Sequence, residues 1–162
     1  MASYQFNVVG YIQSPYKQKF AIPRQPGLIP EATALFQERN AALLGGRAEA
    51  IFFYVARCYR YERPQAGRYR EFTQLGLEIL SPEPALALQR SQALCSGFLD
   101  TLGLDYELSL AVKRGLSYYL EGNGFEVRCP ALGAQQQVVG GGAYREGAGF
   151  GIGLERLVLA LM

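Results

Sequence analysis

The alternation of apolar and polar positions divides the 162-residue chain into strand-like and helix-like segments. "YQFNVVGYI", Tyr4 to Ile12, reads as an extended strand, and Pro15, Pro23, Pro26 and Pro30 then exclude a regular helix until about Glu31. "EATALFQERNAALL" is dense in helix formers, begins just past Pro30 and stops at Gly45-Gly46, which predicts one helix over 31–44. "AIFFYVARCYRYE" is rich in β-branched and aromatic residues and predicts a strand, with "RPQAGR" as its turn and "YREFTQLGLEIL" as the returning partner. Ser81, Pro82 and Pro84 introduce a second helix, in which Leu94, Phe98 and Leu102 recur on one face before Gly103 ends it. Short strands follow in "DYELSLAV", in "SYYLEGNGFEVRCPA", where Gly-Asn-Gly predicts a turn, and in "AQQQVVGGG". The closing "GIGLERLVLALM" predicts a buried helix. Strands joined mostly as hairpins, with helices at three points, predict an α+β domain on a mainly antiparallel sheet flanked by helices.

Composition narrows the class. With 49% apolar and 19% charged residues the chain reads as one compact folded unit. Within it, residues 1–30 form a strand and Pro-rich lead-in and residues 31–162 form the core. No segment approaches the ~20 apolar residues of a membrane span, and "MASYQFNVVG" lacks the basic start and cleavage site of a signal peptide, so a cytoplasmic location is expected. Cys58, Cys95 and Cys129 are too far apart for a CxxC knuckle or a disulfide framework and read as small buried hydrophobes. The chain has no histidine, which excludes a Ser-His-Asp triad, a Cys-His pair and nearly every familiar zinc site, and no metal ligand is assigned. Nucleotidyl and phosphoryl transfer remain open, because arginine and Mg²⁺ can stabilise charge on phosphate oxygens without an imidazole.

The charge is unevenly placed. Residues 1–74 carry ten Lys+Arg against five Glu, and residues 75–162 carry six against nine acidic residues. Thirteen of the sixteen cations are arginine, the residue suited to planar, bidentate recognition of phosphate or carboxylate. "CYRYERPQAGRYREFTQ", Cys58 to Gln74, concentrates four of them with three tyrosines. Side chains two apart share a strand face, so Arg60 and Glu62 point one way. On the return strand Arg70, Phe72, Gln74, Gly76 and Glu78 share one face, and Leu75, Leu77 and Ile79 share the other. The apolar face suits packing on a helix. The polar face suits either a flat anionic ligand or cross-strand ion pairs in solvent.

"YRYERPQAGRYREFTQLGLEIL" resembles motif 2 of class II aminoacyl-tRNA synthetases in its histidyl form. "LIPEATAL" resembles that family's preceding Leu-Arg-Pro-Glu-Gly-Thr loop. "VKRGLSYYLEGNGFEV" resembles its Arg-Gly-Leu-Asp-Tyr-Tyr segment, and "VGGGAYREGAGFGIGLERLVLAL" resembles its glycine-rich strand and motif 3. The matches keep the family's order over most of residues 28–162. The resemblance implies ATP and Mg²⁺ as cofactors and adenylate formation as the reaction, with the substrate carboxylate as its own nucleophile. It also implies Arg60 and Arg114 at the α-phosphate, Glu62 and Arg68 around the rest of the nucleotide, Phe72 on adenine and Arg156 on the γ-phosphate side. Glu31, Thr33, Gln74, Tyr118 and Tyr119 would form the pocket for an amino acid or other carboxylate. A tRNA acceptor stem or a protein is the further partner implied, no membrane is expected, and the oligomeric state stays open.

The chain departs from the family in several places. Motif 1, the insertion before the Arg-Gly-Leu run and the anticodon-binding domain have no counterpart, so a truncated form of the fold is expected. Ile29, Ala32, Thr73, Ser117, and Ala143 with Arg145 replace usual family residues. The alternative this raises is a non-catalytic paralogue that senses a ligand or regulates a partner, resembling the regulatory subunit of ATP phosphoribosyltransferase. "VGYIQSPYKQKFAIPRQPGL", residues 9–28, resembles the opening of the TsaA/TrmO tRNA methyltransferases, which implies S-adenosylmethionine as a third, less favoured ligand. "GAGFGIG" lacks the following βαβ unit and acidic residue of a dinucleotide fold, and no Gly-Lys-Ser/Thr follows the glycines as in a P-loop. These glycines are read as places of close backbone approach.

Overall fold

The computed structural model describes residues 28–61, 63–65, 67–133 and 136–162. The strand expected at Tyr4–Ile12 and the resemblance at residues 9–28, apart from Leu28, lie outside them. Six strands run β1 (Ala50–Tyr59), β2 (Glu71–Leu80), β3 (Glu107–Val112), β4 (Tyr119–Arg128), β5 (Gln137–Tyr144) and β6 (Gly147–Gly153). They form one sheet in the order β1-β2-β6-β5-β4-β3, with every neighbouring pair antiparallel. The helices are α1 (Thr33–Glu38), α2 (Asn40–Leu44), α3 (Pro84–Thr101) and α4 (Leu154–Leu161). None of them is long and apolar enough to cross a membrane.

The β1–β2 hairpin forms as its alternation predicts, in the register Tyr54↔Gly76 and Ala56↔Gln74. Leu75, Leu77 and Ile79 face α3 and α4 together with Phe125, Val127, Val139, Phe150 and Ile152. On the opposite face α1 packs Phe36 against Phe52 and Tyr54 of β1, in a cluster that also takes in Cys58 and, from β5, Tyr144. The glycine-rich middle of that face opens into a cleft. Cys58, Cys95 and Cys129 are buried free thiols, as expected of small hydrophobes.

Four local readings change. The helix expected over 31–44 breaks at Arg39, which leaves helical dihedrals (φ −101°, ψ 10°) just before Asn40, a residue that competes with the helix for backbone bonds. On α3 the buried stripe is Ala87, Ser91, Cys95 and Leu99, while Leu94 and Leu102 stay exposed, because small side chains let the helix lie close on the sheet. Gly122-Asn123-Gly124 makes no hairpin. Gly122 takes φ +71° inside β4, and pairing with β5 jumps from Tyr119↔Tyr144 to Gly124↔Gly142, so the extra residues are absorbed as a wide irregularity within one strand. Finally, α4 buries Leu157 but exposes Val158, Leu159 and Leu161, so it covers the sheet with one face and is not a buried helix.

Candidate functional site

Glycines pave the middle of the sheet face on which α1 packs. Gly76, Gly151 and Gly140 lie side by side on β2, β6 and β5, and Gly149, Gly142 and Gly124 form the next row on β6, β5 and β4. Without side chains of their own, they let neighbouring side chains lie flat on the sheet. A Cβ on Gly76 would sit 2.1 Å from the Tyr54 ring, and one on Gly151 would sit 2.2 Å from Gln74 Nε2. On Gly149 it would meet Glu78 Oε2 at 2.1 Å, and on Gly140 it would meet Arg114 Nη2 at 2.4 Å. Each of these side chains therefore occupies space that only glycine leaves open.

Above this floor is a cleft lined by Glu31, Thr33, Arg60, Arg68, Phe72, Gln74, Arg114, Tyr119 and Arg156, together with Gln137 and Glu155. It gathers residues from the segment before α1, the β1–β2 hairpin, the approach to β4 and the first turn of α4. Tyr118 is beside the cleft, its ring 4.6 Å from that of Tyr119 and its buried hydroxyl without a partner among the described residues. Glu62 lies outside the described residues.

The arginines are held by name. Arg60 donates from Nε to the Pro30 carbonyl at 3.0 Å, approaches Glu31 Oε2 with Nη2 at 3.8 Å, and stacks 4.9 Å over the Phe72 ring. Arg156 donates from Nε to the Gly67 carbonyl at 2.6 Å and from Nη1 to the Gln137 carbonyl at 2.7 Å, tying α4 to the hairpin tip and to β5. Arg114 pairs with Glu126 at 3.4 Å and lies 5.6 Å from the Tyr119 ring. Glu155 accepts the Thr73 N–H on Oε1 at 2.8 Å, and its Oε2 is buried without a partner among the described residues. Among the described residues the hairpin also carries a cross-strand pair in solvent, Arg57 with Glu71, on the face opposite Phe72 and Gln74.

Buried acceptors lie at the inner end. Glu78 is fully buried; Thr33 Oγ1 donates to its Oε1 and the Tyr144 hydroxyl to its Oε2, each at 2.7 Å. Burial outweighs these two bonds and pushes the Glu78 carboxyl up to about 8. Burial also raises Glu31, against the pull of Arg60 and Arg114, and Glu31 Oε1 has no partner among the described residues. The Tyr54 hydroxyl donates to Gln74 Oε1 at 3.0 Å, which leaves the Gln74 amide N–H groups for another acceptor. Glu78, Tyr54, Tyr144, Glu126 and Glu155 were not singled out from the sequence. The alternation that placed Glu78 on the Gln74 face was the signal available for it.

Because Glu78 has a folded-state pKa above its unfolded one, protonation favours the folded chain. This contribution is complete below about 4.5 and is lost as pH rises through about 8. Thermal midpoints measured from pH 5 to 9 are expected to decline across that window in the native chain. In Glu78→Gln the decline should flatten; an unchanged slope would remove Glu78 as its source.

A histidine–tRNA ligase of Archaeoglobus fulgidus is 35% identical over 102 residues, covering 62% of this chain and 25% of the relative. One from Halothermothrix orenii is 25% identical, covering 83% of this chain and 57% of the relative. The pyrrolysyl-tRNA synthetase structure of Desulfitobacterium hafniense aligns with a TM-score of 0.62 over 85% of this chain and 51% of its own, at 20% identity. The chain folds as a class II aminoacyl-tRNA synthetase-like core. No protein-family profile matches it. This core spans about a quarter to somewhat over half the length of the two ligases named. The Halothermothrix alignment runs over 240 positions while taking in 83% of 162 residues, so that ligase carries extra chain within the matched span.

Proposed function

We propose that the synthetase-like core binds ATP with Mg²⁺ and activates an amino acid or another carboxylate as its adenylate. The observation that carries this reading is the convergence of Arg60, Arg68, Arg114 and Arg156 on one glycine-floored cleft whose inner end holds buried acceptors. The substrate carboxylate oxygen attacks the α-phosphorus, the bond to the bridging oxygen breaks, and pyrophosphate leaves. Arg60 and Arg114 hold the α-phosphate as negative charge moves onto it and the leaving group. Arg68 and Arg156 meet the β- and γ-phosphates, Glu62 assists at the nucleotide, and Phe72 offers adenine the ring face opposite Arg60. Glu31 Oε1, buried and without a partner among the described residues, accepts from an ammonium group, and the Gln74 amide donates beside it. Thr33, Tyr118 and Tyr119 complete the substrate end.

Among the described residues no group of three or more His, Cys, Asp or Glu could cage a metal. That arrangement fits Mg²⁺ carried in on phosphate oxygens, where one or two carboxylates suffice and Glu155 Oε2 is available. Bound there, the ion would neutralise phosphate charge. A tRNA acceptor stem or a protein partner is a further candidate for the arginine-rich hairpin.

A second reading is a ligand-sensing paralogue without catalysis, favoured by Ser117, which stands exposed where the family has aspartate. Trapping with hydroxylamine separates the two. The chain with ATP, Mg²⁺ and its amino acid should yield the amino-acid hydroxamate. ATP binding without hydroxamate from any standard amino acid favours the sensor, and binding of S-adenosylmethionine in place of ATP overturns both.

A further inference from the structure

Arg114 reaches the cleft by a path its neighbours build. Ala111 has φ +56°, the one non-glycine residue with positive φ among those described, a conformation disfavoured for a residue with a Cβ. It sits where the β3–β4 register shifts from Leu110↔Phe125 to Val112↔Gly124, so β3 gains one residue and bends. Beyond this bulge the chain crosses over β4. A Cβ on Gly124 would lie 2.2 Å from the Val112 carbonyl oxygen and 2.7 Å from Arg114 Cγ, and the guanidinium ends over Gly140 of β5. There Glu126, the register partner of Gly140, takes Arg114 Nη1 on Oε1 at 3.4 Å and Arg128 Nη2 on Oε2 at 3.2 Å. Arg114 Nε is buried and has no partner among the described residues.

We propose that Glu126 is a positioning residue: its carboxylate, anchored on the other oxygen by Arg128, fixes the Arg114 guanidinium over Gly140 and leaves the remaining N–H groups for an anion in the cleft. The inference rests on the adenylate-forming reading for its kinetic consequence. A carboxylate beside Arg114 offsets part of its attraction for a phosphate already fully charged in the ground state. What Glu126 contributes is orientation, which matters most when charge shifts at the α-phosphate. Glu126 should therefore act on kcat more than on the KM for ATP.

Glu126→Gln removes the charge and keeps the shape. In ATP–pyrophosphate exchange it is expected to lower kcat by about tenfold to a hundredfold, with the KM for ATP changed by less than about threefold. Glu126→Asp should fall between, and the double variant with Arg114→Ala should lose little beyond Arg114→Ala alone. A readout that needs no turnover is the Nε–Hε proton of Arg114, observed by nitrogen-edited NMR and assigned by its disappearance in Arg114→Lys. It should exchange slowly with solvent in the native chain and at least about tenfold faster in Glu126→Gln, as an opened side chain does. Unchanged exchange of that proton in both Glu126 variants overturns the positioning role, whatever the kinetics. If the native chain turns over no amino acid, the adenylate reading fails by itself, and the arginine proton still decides whether Glu126 holds Arg114.

Discussion

Arg60→Ala is expected to lower ATP–pyrophosphate exchange by about a hundredfold to a thousandfold, the scale of losing one preorganised donor to developing charge. Arg60 has one edge committed to the Pro30 carbonyl and the adjacent Glu31 carboxylate, and its plane to Phe72. Its remaining N–H groups are thus aimed without further cost in side-chain entropy when a phosphate arrives. Lysine cannot reproduce the planar fork or the stack, so Arg60→Lys should recover only part of the loss. The Arg60 side chain is 38% exposed, so the thermal midpoint should move little. A large fall in midpoint with intact exchange would assign Arg60 to the fold instead of the reaction.

Gly149→Ala is expected to cost about 4 kcal/mol or more of stability. The added Cβ would lie 2.1 Å from Glu78 Oε2 and 2.5 Å from the Leu77 carbonyl oxygen. The Glu78 carboxylate cannot give way, because Thr33 and Tyr144 hold both of its oxygens, and the Leu77 oxygen belongs to sheet backbone. Relief requires opening the β2–β6 pairing that joins the hairpin to the rest of the sheet. Gly97→Ala in α3 is the control: nothing lies within 4 Å of its Cβ position, and a helix interior should gain about 0.5–1 kcal/mol from the exchange. Urea unfolding of both variants measures the contrast. Equal midpoints would mean that the floor has room the distances deny.

The period-two alternation from Phe72 to Ile79 was legible because one face of the strand packs on helices while the other meets a polar cleft. It placed Gln74 and Glu78 opposite Leu75 and Leu77, and the sheet keeps that division. Arg60, Arg68, Phe72, Arg114 and Arg156, named as site candidates, all line one cleft, although they are spread from the hairpin to the last helix. What stayed hidden depends on contacts between distant segments. No local pattern says that Thr33 and Tyr144 will close on Glu78, or that Arg114 will lie across Gly124 and Gly140 to meet Glu126. The Gly-Asn-Gly turn failed for a related reason. Turn chemistry permits a reversal but does not require one, and pairing with β5 on one side and β3 on the other holds β4 straight enough to absorb the glycines. On α3 the larger leucines drew attention, whereas the close-packed contact selected Ala87, Ser91 and Cys95.

The measurement that bears most directly on the cleft is exchange of labelled pyrophosphate into ATP, with Mg²⁺ and each standard amino acid in turn. Adenylate formation predicts exchange that depends on at least one amino acid and is lost in Arg60→Ala and Arg114→Ala. ATP bound in the cleft with no exchange for any of them would contradict activation.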